Sequence, residues 1–509
     1  MKHTLTKLLA LALVMVLCLG TLVGCPSGND GDGEDINDIK NIITEEDDDL
    51  LGIDGNTIWV GNTAATTGAM AGVGEPFKLG IEAAFHAYNQ EGGFRGKSIK
   101  LKHADDMGEA SNSTTLMDKL IQEDEVFAIV GHFGSYAVDA TLETLIDEEV
   151  PMIYAAAGNN ELCNYNATTL GQKGIVPVQP LNETEGRMLI LRAFAPLEKG
   201  GLQANKVGII YNSNEASQGI YSGIQKELAN LPESQRNSVV PQEVNTDDYS
   251  AAVNALKAAG CDVVILTVIG NDFYNALTTM ANVDYKCSVL TTYNNSSAAK
   301  FNDGNSKLQP QYEDIFKTMN VFALAWLDIS STEYVYKRPD SKLYQAYKAL
   351  ARVYQKDENG KNVEVGVPGF TEEYWNVAED IYNYVSTVDV TKAMPMSYDA
   401  YALAGYIAGD LFCKAMKKLD ESGLALSRAN LIYILETNEF KISMANTLSF
   451  ANGKREGVQH FALTQVFDSA NPPQWMIDNG GIPTTDHVGT SVTVFGLMSI
   501  DEYRALLSE

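Results

Sequence analysis

The sequence predicts an α/β protein built from parallel sheets covered by helices on both faces. Two observations carry this. From Thr57 onward, short apolar strands alternate with stretches of helical length that carry one apolar face, the rhythm of strands buried on both sides. The 509 residues, 45% of them hydrophobic, allow two large lobes or about three domains, each with its own core. Charge then narrows the function. Against 37 Lys and Arg stand 66 Asp and Glu, a net charge of −29 with no basic cluster anywhere. A phosphate backbone would be repelled at long range, so nucleic acid is excluded as a partner.

The chain starts outside the fold. Lys2 and Lys7 precede a charge-free run from Leu8 to Leu22. That run is short for a bilayer core and reads as an export signal. Leu22-Val23-Gly24-Cys25 resembles the lipobox of bacterial lipoproteins. The resemblance implies removal of residues 1–24 and a lipid anchor on Cys25, with the protein held at the extracytoplasmic face of a bacterial cell membrane. Residues 25–56 hold eleven acids against the single Lys40. They bury too little apolar surface to offset their ordering entropy and read as a disordered acidic tether.

Thr57–Ala64 alternates as a strand. Gly72 to Pro76 then opens a helix, with Pro76 suited to its first turn and Val73, Phe77, Ile81, Ala84, Phe85 and Tyr88 on one face. Strands follow at Ser98–His103, Val126–Val130 and Pro151–Ala155, with helices at 110–122 and 135–147 between them. The rhythm resumes with strands at Lys206–Tyr211, Asp262–Val268 and Ser288–Thr292, and with helices at 218–231, 249–259 and 272–280. Later segments are less regular. Val321–Leu327 reads as a strand; Leu343–Tyr354, Glu372–Val385 and Ala400–Lys418 read as helices, with Leu431–Leu435 inside another. Leu448–Phe450 and His460–Val466 are late strands around the Asn452-Gly453 turn, and Ser499 with Glu502 predicts a capping box for a last helix.

Motifs that carry catalytic or metal chemistry are mostly absent from the sequence. The chain has no His-Glu-x-x-His, no Gly-x-Ser-x-Gly and no Gly-x₄-Gly-Lys, and its six histidines stand in no metal-ligand spacing. No catalytic residue, metal or cofactor is expected. His132 reads as a polar lid on a strand end, and Asp105-Asp106 as loop and capping groups. Two strand ends remain. Gly131-His132-Phe133-Gly134-Ser135 places Ser135 as a helix N-cap, and Ala156-Ala157-Gly158-Asn159 offers small residues that let a ligand approach the backbone. In parallel sheets, ligands bind beyond such carboxyl ends.

Together with Gly92-Gly93-Phe94-Arg95-Gly96-Lys97, Asp105-Asp106, Ile129-Val130-Gly131-His132, Val150-Pro151-Met152-Ile153 and Glu161-Leu162, these stretches resemble the branched-chain amino-acid type of periplasmic binding protein. Thr246–Leu256, Asp262-Val263-Val264, Tyr398-Asp399-Ala400 and Phe450-Ala451-Asn452-Gly453 continue the resemblance in the same order. It implies the type I fold: two doubly wound parallel-sheet lobes joined by three hinge crossings. Lobe 1 would hold 57–178 plus about 319–445, and lobe 2 would hold 179–318 plus about 446–509. It further implies a non-enzymatic, monomeric binder that closes on a small-molecule ligand and delivers it to an ABC transporter permease.

Residue by residue, the family's carboxylate-binding serine falls on Ser135, and its flanking backbone groups fall on Ala156 and Ala157. Its ligand-binding threonine is replaced by Gly158, followed by Asn159. Its ammonium-binding glutamate falls at about Tyr293, beside Asn294, and an aromatic wall residue near Ala216. These losses leave the solute open among amino acids, amides and small organic acids. Tyr293 reads either as a ligand contact or as a strand-end aromatic packed in the hinge. The family's first-lobe disulfide has no counterpart, its positions being Gly108 and Gly134. Cys261 and Cys287 each precede a strand and read as a bridge or as two buried thiols. A sensing module, a surface hydrolase and a purely structural surface protein are the alternative functions.

Overall fold

The structure, a computed structural model, describes residues 51–303, 307–336, 338–345, 353–356, 358, 361–478 and 487–508. The expected signal segment, Cys25 and the tether up to residue 50 lie outside the described residues. The tether's expected end needs moving. β1 (Ile53–Asp54) pairs antiparallel with the start of β2 (Thr57–Ala64), so ordered structure starts before Thr57.

β2 lies between β3 (Ser98–Asp105) and β4 (Ile129–Phe133), and the sheet continues through β5 (Met152–Ala156) to β6 (Ile175–Val176), all parallel. β4 is buried along its whole length, because helices cover both faces. The helix Ala71–Gln90 begins before the expected turn, so Pro76 falls inside it. Its partner is the much later helix Ala400–Ser422. A Cβ at Gly405 would stand 1.9 Å from the Phe77 carbonyl oxygen, and one at Gly80 would stand 2.0 Å from that of Ala402. Only glycine lets these two backbones touch, and that contact fastens the late part of the chain onto the first lobe.

The second sheet runs β7 (Val207–Tyr211), β8 (Val239–Glu243), β9 (Val263–Leu266), β10 (Ser288–Thr291) and β11 (Asn320–Ala325) in chain order. In space, β8-β7-β9-β10-β11 are parallel. β11 therefore belongs with the second lobe, and the chain leaves that lobe after Ala325 rather than near 319. Part of the extra length folds as a three-stranded antiparallel sheet of β12 (Ser330–Tyr336), β13 (Val353–Lys356) and β14 (Asn362–Phe370). The expected helix Leu343–Tyr354 is thus corrected: its start is helical at 342–345, but Val353 and Tyr354 are strand. After the hairpin of β15 (Glu439–Lys441) and β16 (Thr447–Ser449), the chain returns to the second sheet. There β17 (His460–Asp468) pairs antiparallel with β11, and β18 (Gly489–Ser499) pairs with β17. The expected capping box is present: Ser499 N–H donates to Glu502 Oε2 at 2.8 Å, and Glu502 N–H donates to Ser499 Oγ at 3.2 Å.

Three connections join the two sheets: around Gln179, after Ala325 and before His460. The first and third touch, with Val458 N–H donating to the Val178 carbonyl at 2.7 Å.

Candidate functional site

β4 and β5 reach the cleft with matched distortions. Gly131 (φ 75) and Tyr154 (φ 61) both take the left-handed region, and the pairing runs from Val130↔Ile153 directly to His132↔Ala155. The two strands kink together, so the residues after them leave the sheet side by side. For Tyr154 this conformation costs on the order of 1–3 kcal/mol, a strain that clusters at functional sites.

After β4, Gly134 (φ 94) is the N-cap and Ser135 the first residue of the helix Ser135–Asp147. The expected cap role of Ser135 is therefore corrected: the cap position is taken by Gly134, which has no side chain to offer. The Ser135 hydroxyl faces the carboxyl of Glu215 and favours that group's charged form. Glu215 starts the helix Glu215–Leu228 in the second lobe, behind an Asn214 cap whose side chain accepts from Ala216 N–H at 3.0 Å. One turn on from Ser135, on the same helix face, Asp139 Oδ1 accepts from Asn159 Nδ2 at 2.5 Å.

After β5, Ala156 is half-buried and Ala157, Gly158 and Asn159 are buried. Ala156 accepts from Gly134 N–H at 3.3 Å, so the two strand ends are tied together. The glycine at the family's threonine position has a physical reason. A Cβ on Gly158 would stand 2.3 Å from Asn182 Oδ1; the buried Asn182 side chain, from the start of the helix Asn182–Phe194, occupies the space a threonine would need.

Tyr293 is used by the hinge. Its hydroxyl accepts from Gln179 Nε2 at 3.2 Å and donates to the Pro180 carbonyl at 3.3 Å, while its N–H donates to Glu185 Oε1 at 2.6 Å. Burial pushes the Glu185 carboxyl up to about 8, against the lowering effect of that N–H. Asn294 is exposed beside it, with its N–H bonded to Thr292 Oγ1 at 2.9 Å.

The sequence reading missed three carboxylates. One oxygen each of Asp139, Glu161 and Glu215 lie within 4.8 Å of one another. Loss of hydration, then the charges of Asp139 and Glu161, push Glu215 up to about 7 despite Ser135. Loss of hydration also raises Asp139, with Glu161 adding to it and Asn159 opposing. No single-sequence signal links positions 139, 161 and 215, because only the fold brings them together.

The other polar groups singled out in the sequence serve structure. His132 is fully buried, with Nδ1 3.0 Å from Thr63 Oγ1 and Nε2 2.8 Å from Thr141 Oγ1. Since Thr141 donates its own proton to the Ala137 carbonyl, it accepts from His132 Nε2. Burial lowers His132 to about 4 and holds it neutral. Asp106 accepts from Gly108 N–H, Ser113 Oγ and Tyr136 Oη at 2.9–3.0 Å. Asp105 accepts from the backbone of Thr66 and Met107 and from Thr67. Neither aspartate is placed for acid–base work.

Residues 57–304 match the family described as periplasmic binding protein. An amino acid binding protein of Pseudomonas aeruginosa is 27% identical over 212 residues, 40% of this chain and 52% of that protein. Leu/Ile/Val-binding protein homolog 2 of Brucella abortus is 28% identical over 216 residues, 41% of this chain and 53% of that protein. The chain spans about half the length of these relatives. Solved structures align over far more of it. A branched-chain amino acid ABC transporter protein from Thermus thermophilus with bound valine gives a TM-score of 0.59 at 12% identity, over 90% of this chain and 100% of that one. A fatty acid ABC transporter substrate-binding protein from Thermomonospora curvata gives 0.60 at 14%, over 89% and 95%. These relatives and neighbours are binding proteins rather than enzymes. Over residues 57–304 the chain thus carries the match to the periplasmic-binding-protein family, and its described residues have the two-lobed type I periplasmic-binding-protein fold.

Proposed function

We propose that this protein is an extracytoplasmic, lipid-anchored solute-binding protein that captures a small polar solute between its lobes and delivers it to an ABC importer. The observation that carries the reading is the meeting of polar groups from both lobes beyond the strand ends: Ser135 and the 156–159 turn on one side, and the Glu215 helix start on the other. The names of the relatives support an amino-acid-like solute, and the family supports an extracytoplasmic location. Anchoring rests on Leu22-Val23-Gly24-Cys25, and no helix among the described residues is long and apolar enough to cross a membrane. Ser135, Ala156, Ala157, Gly158 and Asn159 would line the solute, with Tyr293 and Asn294 on the hinge side.

A solute touching both lobes binds the closed form better and shifts the population toward it. The test is a thermal-shift screen of amino acids, amides and organic acids, with small-angle scattering of any stoichiometric complex. A hit that shrinks the radius of gyration is expected; binding with an unchanged radius would refute capture by closure. Fractionation of cells carrying Cys25→Ala tests the anchor. The variant should leave the membrane fraction with its domain folded, and equal retention would refute lipidation.

A further inference from the structure

Within the proposed solute-binding reading, we infer that the cleft holds a seat for a cation, formed by Asp139 and Glu161 of the first lobe and Glu215 of the second. The spacing fits. Opposite oxygens around one calcium ion stand about 4.6–5.2 Å apart, and acceptors sharing one ammonium group about 4.6 Å, while the three carboxylate oxygens lie within 4.8 Å of one another. Charge fits as well. Among the described residues none of the three has an ion-pair partner, although acids elsewhere on this surface find lysine or arginine: Glu183 pairs with Lys226, Asp420 with Arg95 and Glu75 with Lys392. These three exposed carboxylates repel one another across the lobes, and a positive group between them would remove that repulsion.

An independent feature points the same way. Asn159 is wholly buried, with 0% of its surface exposed, and its amide head is aimed at the cluster through the 2.5 Å bond from Nδ2 to Asp139 Oδ1. Its Oδ1 has no hydrogen-bond partner. A buried carbonyl-type oxygen left without a donor is costly, and here it sits on the same amide head that bonds Asp139, an oxygen of the kind that hard cations take. The Ser135 hydroxyl, facing Glu215, adds one more oxygen at the rim.

The seat spans the closure, because two of its acids belong to one lobe and the third to the other. A cation there would replace repulsion between lobes with attraction, and closure would depend on it. Two sources share this chemistry: a free divalent metal ion, or the ammonium group of an organic solute.

The experiment uses the purified full chain at fixed ionic strength, read by thermal shift and small-angle scattering. Its arms are calcium chloride alone, 1,4-diaminobutane alone, and sodium chloride as control. A rise in melting temperature and a smaller radius with calcium would assign a metal seat. The same response with the diamine only would assign a solute ammonium. Glu215→Gln and Asp139→Asn should each weaken the response at least tenfold in half-saturating concentration. Glu215→Gln should also shrink the unliganded protein, since it removes repulsion across the cleft. If neither probe changes stability or radius in the wild type, or if both variants respond like wild type, the inference is overturned. A neutral or anionic solute that closes the same wild-type protein would then leave the solute-binding reading standing without it.

Discussion

Glu185→Gln isolates the energetics of the hinge. The Glu185 side chain is wholly buried beneath Tyr293; Oε1 accepts from Tyr293 N–H at 2.6 Å and Oε2 has no partner. Burial pushes the carboxyl from 4.5 up to about 8. In the unfolded chain it loses its proton near 4.5; in the folded chain it keeps it to about 8. Between those values the folded state binds more protons, so stability falls as pH rises. Glutamine copies the protonated acid, with the same acceptor for Tyr293 N–H and no charge to desolvate. The variant should match wild type near pH 5 to within about 1 kcal/mol. It should be more stable by roughly 4–5 kcal/mol near pH 8.5, from about 1.4 kcal/mol per pKa unit. His132, lowered to about 4 by burial, tilts stability the other way between about 4 and 6.5. It does so equally in both proteins and drops out of the difference. Urea unfolding at the two pH values measures the gap, and an advantage at pH 8.5 below about 1 kcal/mol would refute a neutral buried acid at this position.

Gly158→Ala should cost about 1–3 kcal/mol by overpacking against Asn182 Oδ1. Adding Asn182→Ala should restore part of that loss, and additive effects in the double-mutant cycle would refute the contact. Glu436→Ala leaves Arg455 buried without its 2.7 Å carboxylate partner. Three carbonyls, of Lys173, Phe450 and Lys454, still accept from it, so the cost in urea unfolding should fall near the lower end of the usual range, about 3 kcal/mol. Cys261 and Cys287 are unbridged and buried, and burial followed by the neighbouring thiol pushes Cys287 up to about 12. Neither should react with a thiol reagent until the chain unfolds, and rapid labelling of the native protein would contradict this.

Much of the architecture was legible because its signal is periodic. β9 and β10 are short apolar runs between amphipathic helices, and such strands fit only inside a parallel sheet. The helix Asn182–Phe194 escaped for the opposite reason. It buries Asn182, Thr184, Glu185 and Arg192 beside its apolar residues, so no polar face marks it. β8 was hidden by Pro241, which an edge strand tolerates. At the site, the two turns after β4 and β5 could be placed because glycines and small residues after apolar runs are local signals. Gly158 and the acid cluster could not be explained from sequence. The first depends on the Asn182 side chain, and the second joins a helix, a turn and a helix from two lobes.

Tyr293 has a mechanical role at a position where the resemblance implies a charged ligand contact. Where the resemblance implies a carboxylate facing the solute, this chain has an aromatic ring whose hydroxyl is saturated by Gln179 and Pro180. Gln179 in turn accepts from the Tyr154 hydroxyl at 3.1 Å. The strained residue of β5, the first crossing and the loop after β10 thus form one hydrogen-bonded line, ending on the buried Glu185. A carboxylate at 293 would add charge next to that acid and break the line. A positive group on a solute would therefore have to be met elsewhere. Among the described residues, Asp139 and Glu161 of the first lobe and Glu215 of the second bring carboxylate oxygens within 4.8 Å of one another, and on the proposed reading the anionic pole of the cleft lies at these facing helix ends rather than at the hinge.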